Sequence, residues 1–302
     1  MPPFRLLSLP LAACASFVFA SSSHAQVPAD TLARIKETRA ITLGVREAAR
    51  PFSFLNEQKQ PVGYSVDLCL AVVDEIKRTL KLPDLAVSYK VVSGAERIPK
   101  LETGEIDLEC GSTTNTKARQ EKVAFSYTVF VAGIRVLVPK GTKVESVKDL
   151  GGLPVALSKG TTSEKLFTQL NVSEVKMQLT TFASNVEAYQ ALKEGKVRAF
   201  PQDDSLLLGL ASHDNALDRL DLSSVVLSVE PYAIMMRKGD TALGAVVDRT
   251  LSRLYAGGEI NTIYRKWFTT ERMNLQMSRL TRDSFTRPNK EAGVAMLLGY
   301  SL

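Results

Sequence analysis

Glu109 to Gln120 reads ECGSTTNTKARQ, and after two charged residues the apolar Val123-Ala124-Phe125 follows. The stretch begins where a strand-like run, Ile106-Asp107-Leu108, stops. It then offers Gly111 and four small hydroxyl residues, Ser112, Thr113, Thr114 and Thr116, and ends with Arg119 in a helix-like turn. A strand that empties into such a loop leaves backbone N–H groups and hydroxyls facing the cleft at the strand ends. Arg119 adds a planar fork of donors suited to a carboxylate held by two parallel hydrogen bonds. The plainer reading of the bare pattern is a helix N-cap, Thr114 or Thr116, beside a surface arginine.

Working outward, the same grammar recurs. Ala40 to Val45 reads as a strand that delivers Arg46 into a loop. From Tyr64, apolar Cys69, Val72, Val73, Ile76 and Leu80 fall on one helical face, and Pro83 ends the helix before a strand from Leu85 to Val92. This β-α-β order points to a mainly parallel sheet. Lys100 to Leu108 reads as helix end, Gly104 stop and strand; Leu192 to Phe200 repeats it around Gly195. The second half opens with its own unit: strand Val155 to Ser158, loop Lys159 to Thr162, then a helix. Thr161 with Glu164, and Ser184 with Glu187, have capping-box spacing. Two such units predict an α/β protein of two lobes, each a mainly parallel sheet flanked by helices. Val131 to Pro139 and Val225 to Arg237 would serve as two hinge strands. The expected division is 26–135 for the first lobe, 136–231 for the second, 232–270 returning to the first, and 271–302 as an extension whose periodicity is poor.

The 302 residues suffice for two compact lobes. Residues 1–25 read as a signal peptide: Arg5, an apolar run from Leu6 to Ala20, and a small-x-small site cleaved after Ala25. Leu11-Ala12-Ala13-Cys14 also fits a lipid-attachment box, the alternative anchor. Either way the expected address is the periplasm. The net charge of +6 is scattered, with no Lys/Arg block or aromatic interleaving, so nucleic acid is not an expected partner. Cys69 and Cys110 remain after cleavage, as one disulfide or as two buried thiols. Of the two histidines only His213 remains after cleavage; with no Cys-x-x-Cys pair this argues against a metal site, and nothing suggests a cofactor.

GSTTNTKARQEKVAFS is similar to the signature of the family-three periplasmic solute-binding proteins of ABC transporters, the polar amino-acid receptors. The resemblance runs from about Thr31 to Phe268 through GVREAARPFSF, GYSVDL, ERIPKLETGEIDLECGSTTNTKARQ, GTTSEKL, FPQDD and YAIMMRK. It lies nearest the glutamate/aspartate-binding receptors. The resemblance implies that Arg119, Ser112 and Thr114 hold a ligand α-carboxylate and that Thr162 joins from the second lobe. It also implies that Asp203 accepts the α-ammonium. Arg46 and Arg97 would sit in the same cleft. Three buried cations are costly without an anion, so a guest with a second, side-chain carboxylate is expected. The family pattern asks for no cation at Arg50. Gly94 stands where these receptors usually present a serine, and Asn185 where they often have a histidine, which leaves glutamine open beside glutamate and aspartate. The implied protein is a monomeric receptor that hands its ligand to a membrane permease, not an enzyme. The alternative is a dehydratase of cyclic dicarboxylic acids on the same fold, with Glu109 as the nearest carboxyl candidate.

Overall fold

The computed structural model describes residues 30–295 and 300–301; the expected leader, with Ala25 and Cys14, lies outside them. Asp30 caps α1 (Thr31–Thr38), which runs into β1 (Ala40–Val45). A small antiparallel sheet, β2 (Ala48–Ala49), β3 (Ser53–Leu55) and β4 (Pro61–Val62), turns the chain into α2 (Tyr64–Leu80). Next come β5 (Ala86–Val91), α3 (Arg97–Glu102), β6 (Leu108–Glu109), α4 (Lys117–Gln120) and β7 (Val123–Phe125). β8 (Phe130–Ala132) and β9 (Ile134–Pro139) carry the chain into the second lobe. There it forms β10 (Pro154–Ser158), α5 (Thr162–Ser173), β11 (Gln178–Phe182) and α6 (Asn185–Lys193). β12 (Phe200–Asp203), α7 (Asp204–His213) and β13 (Leu220–Leu222) complete that lobe. β14 (Ser228–Tyr232) and β15 (Met235–Arg237) return, followed by α8 (Thr241–Ala256) and α9 (Glu259–Phe268). α10 (Arg279–Thr286), β16 (Val294–Ala295) and β17 (Tyr300–Ser301) end the described chain.

The first sheet runs β5-β1-β6-β15-β7, parallel through β5, β1 and β6, and antiparallel where returning β15 inserts. In the second lobe β10 pairs parallel with β11, and β9 lies antiparallel between β12 and β13. A parallel bridge, Val155 to Ala199, joins the two sets. Parallel strands release their loops at one end, so the loops after β1, β6 and β10 share an edge of each sheet.

Burial explains the elements. Cys69, Val72, Val73 and Ile76 of α2 are buried with Leu243, Val247 and Leu251 of α8, so periodic apolar faces meet on one side of the first sheet. Each large side chain so buried contributes roughly 1.5–3 kcal/mol. Cys69 and Cys110 form a disulfide with 6.1 Å between Cα atoms, tying α2 to the residue after β6. Arg237, in YAIMMRK, is a buried tie: it donates to Ile106 O at 3.0 Å and to Asp107 Oδ1 at 3.0 Å.

Between the lobes, β14 pairs antiparallel with β8, and β16 pairs with β14. The extension therefore adds a third crossing segment. Phe285 of α10 is buried in the first-lobe core and Ala295 of β16 in a second-lobe core. Among the described residues no helix is long and apolar enough to cross a membrane.

Candidate functional site

The loop after β6 is zipped against the hinge. Thr114 bridges Tyr232, Asn115 N donates to Pro231 O at 2.8 Å, and Ala233 N donates to Thr113 O at 3.1 Å. These bonds fix the hydroxyl run beside β14. Thr116, not Thr114, caps α4, accepting from Arg119 N. The cap aims Arg119 back over the loop: Nη1 donates to Thr114 O at 2.8 Å and Nη2 to Gly160 O at 3.1 Å. Arg97 is 3% exposed. Its Nη1 donates to Thr113 Oγ1 at 2.7 Å and its Nη2 to the same Gly160 O at 3.2 Å. One second-lobe carbonyl thus holds two first-lobe guanidinium groups. Arg46, placed by β1 and by its N–H bond to Ser53 Oγ, completes the group.

The three arginines feel one another. Burial first and the neighbouring Arg97 charge second lower the Arg46 pKa to about 10 and that of Arg119 to about 9. Both remain cationic at neutral pH. Burial also lowers Arg97, opposed by Glu109, Asp203 and Tyr232. Among the described residues, none of the three forms an ion pair with a carboxylate; the Arg97 and Arg119 guanidinium bonds go to hydroxyl and carbonyl oxygens.

Three carboxyl groups nonetheless share the cluster, which corrects the expectation that a guest alone must offset the arginines. Glu109 is fully buried and accepts from Thr113 Oγ1 at 2.8 Å, so Thr113 relays Arg97 to it. Glu230, also fully buried, accepts from Thr162 Oγ1 at 2.8 Å. Asp203 accepts from the Tyr232 hydroxyl. It sits at the N-terminus of α7 but caps nothing with its side chain; Asp204 Oδ1 accepts from Ser205 N at 2.6 Å instead. Thr162 is likewise not the cap of α5, which is Thr161; its hydroxyl instead points across to Glu230. Glu230 escaped the sequence reading because Thr162 is 68 residues away. A lone carboxylate in the apolar run Val225 to Arg237 was the available signal.

The remaining expected residues divide. Ser112 is buried one residue after Gly111, where an added Cβ would stand 3.1 Å from Arg46 Cγ. Asn185 starts α6 and accepts from Gln202 Nε2 at 2.9 Å; with Arg46, Ser93 and Glu96 it lines a cavity of about 520 Å³. The structure therefore brings Arg46, Arg97, Arg119, Thr114, Thr162 and Asp203 into one cluster and sets Asn185 at its approach. Arg50 instead lies over the Phe54 ring at 3.8 Å. Among the described residues no group of three or more His, Cys, Asp or Glu is arranged to hold a metal.

The description of bacterial extracellular solute-binding proteins, family 3, matches residues 41–270. The chain belongs to this family. One family-3 relative, the L-glutamate/L-aspartate-binding protein of Pseudomonas aeruginosa, is 39% identical over 274 residues, covering 88% of this chain and 91% of that protein. Among solved structures, an ArgBP mutant from T. maritima has TM-score 0.71 at 28% identity, covering 79% of this chain and 99% of that one. The ancestral amino acid-binding protein AncCDT-1, a precursor of cyclohexadienyl dehydratase, has TM-score 0.69 at 28% identity, covering 79% and 99%. The family-3 fold accounts for the two sheets and the strands that cross between them.

Proposed function

We propose that the protein is a periplasmic receptor that captures an acidic amino acid, glutamate or aspartate, between its lobes and delivers it to an ABC transporter permease. The observation that carries the reading is the meeting of Arg46, Arg97 and Arg119, whose described bonds go to hydroxyl and carbonyl oxygens rather than to carboxylates. The three guanidinium groups with no carboxylate bonded directly to them leave donors for the two carboxylates of an acidic ligand. The glutamate/aspartate name of the Pseudomonas relative supports the same ligand class.

In this reading Arg119, Ser112 and Thr114 hold the α-carboxylate, Thr162 closes over it with its backbone N–H at the start of α5, and Asp203 takes the α-ammonium. Arg46 and Arg97 receive the side-chain carboxylate, with Asn185 at the distal end admitting glutamine as a weaker guest. Glu109 works as a built-in countercharge, not as a catalytic group. The crossing through the paired strands β8 and β14 supports a boundary at 231/232, whereas 135/136 falls inside β9 and the first crossing belongs a few residues earlier, between β8 and β9. Closing from mostly open to mostly closed takes about 5.5 kcal/mol of differential affinity. The receptor acts as a monomer and needs no nucleic acid.

Thermal-shift screening against the common amino acids, followed by calorimetry, tests this. Glutamate and aspartate should stabilise most, Arg119→Ala should abolish binding, and Arg97→Ala should weaken glutamate at least about tenfold more than glutamine. Equal losses for both ligands would remove the side-chain assignment. Turnover of a prephenate-like acid would restore the dehydratase reading.

A further inference from the structure

We propose that Glu230 is a second carboxylate of the amino-group site, so that a ligand ammonium is held between Glu230 on β14 and Asp203 at the end of β12. The inference rests on the receptor reading and adds a residue to it. Glu230 and Tyr232 are two apart on one strand, so their side chains leave the same face. Glu230 Oε2 is satisfied by Thr162 and Asp203 Oδ2 by Tyr232. Glu230 Oε1 and Asp203 Oδ1 are each buried with no hydrogen-bond partner. A third orphaned oxygen, Glu109 Oε1, lies on the Gly111 and Arg46 side of the cluster; the Glu230 and Asp203 oxygens call for a donor that is positively charged and has several hydrogens. An ammonium has three donors and no acceptor.

Among the described residues no cation bonds to either oxygen. Arg119 spends its described bonds on Thr114 O and Gly160 O. That geometry also argues against Glu230 imitating the ligand carboxylate, because such a group would draw the Arg119 fork onto itself. Electrostatics agree. Burial raises both carboxyl pKa values, and Glu230 raises Asp203 further. Tyr232, Asp204 and Arg119 face Asp203; Ser228, Thr114, Thr162 and Arg119 face Glu230. A proton held by the pair would leave as the ammonium arrives.

Calorimetry on the mature protein with L-glutamate and with glutarate, which keeps both carboxylates and lacks the ammonium, separates the roles. Glu230→Gln should weaken glutamate roughly tenfold to a hundredfold and leave glutarate unchanged or tighter. Asp203→Asn should do the same. In the unaltered protein, heats measured in buffers of different ionisation enthalpy should report proton release with glutamate and none with glutarate, a result that needs no variant to fold. Equal losses for both ligands, an unchanged glutamate affinity, or identical proton counts would each overturn the role of Glu230. An unaltered protein that binds no α-amino acid would overturn the receptor reading, and this inference with it.

Discussion

Tyr232 has its ring in the first-lobe core, 5.0 Å from that of Phe52, and its hydroxyl on Asp203 of the second lobe. One side chain therefore couples the hinge strand to the acid pair, and the pair should make stability depend on pH. Asp203 and Glu230 have raised pKa values, chiefly through burial. Above about pH 4 the unfolded chain has lost these protons while the folded protein still holds them. The folded state binds more protons in that window, so this contribution is largest at its acid end and is lost as pH rises through the raised values. The ligand-free melting temperature should fall with rising pH from about 5 to 8, and Glu230→Gln should flatten that fall. Parallel profiles for the two proteins would refute the assignment. At this scale the arginines were legible because each lies in a short motif, directly after a strand (Arg46) or in a short helix beyond one (Arg97, Arg119). Glu230 was not, because its meaning comes from Thr162 and Asp203, brought near it only by the crossing strands.

At the scale of elements, the bridge from α2 to the loop after β6 governs the site from behind. Cys110 lies between Glu109 and Gly111, so the disulfide fixes the point where the hydroxyl loop begins. With a sequence separation of 41 between the cysteines, the constraint on the unfolded chain is worth about 4 kcal/mol in the chain-entropy view. Urea unfolding of Cys69→Ser, or of the reduced protein, should show a loss of that order, with weaker glutamate binding. An unchanged midpoint would mean that α2 packing alone holds the loop. The periodic helices α2, α8 and α9 were readable because their apolar stripes match the faces they bury. α10 was hidden, since of Arg279–Thr286 only Phe285 is a buried apolar residue and the helix depends on its neighbours. β16 was hidden for a related reason: its two residues become a strand by pairing with β14.

For the whole molecule, the close approach of the lobes is written in two glycines. Gly160 has φ +78°, and an added Cβ there would stand 2.8 Å from Ala95 N. A substitution at Gly160 would mix backbone strain with lobe contact. Gly94 is the cleaner probe, because its φ is not in the left-handed range and an added Cβ would meet Lys159 O at 2.9 Å. From the sequence, Gly94 read as a lost side-chain donor; the structure adds a steric reason, visible only when both lobes are in place. Lys159 O is backbone at the end of β10, so relief requires the lobes to part and not a side chain to rotate. Parting them lengthens the bonds from Arg97 and Arg119 to Gly160 O, which lie beside it. Gly94→Ala should therefore weaken glutamate about tenfold while changing the ligand-free stability by less than about 0.5 kcal/mol. Small-angle scattering should find the glutamate-saturated variant less compact than the saturated unaltered protein. Equal affinity and equal compaction would mean that the ligand-bound lobes do not meet at Gly94, and the closure geometry would have to be redrawn.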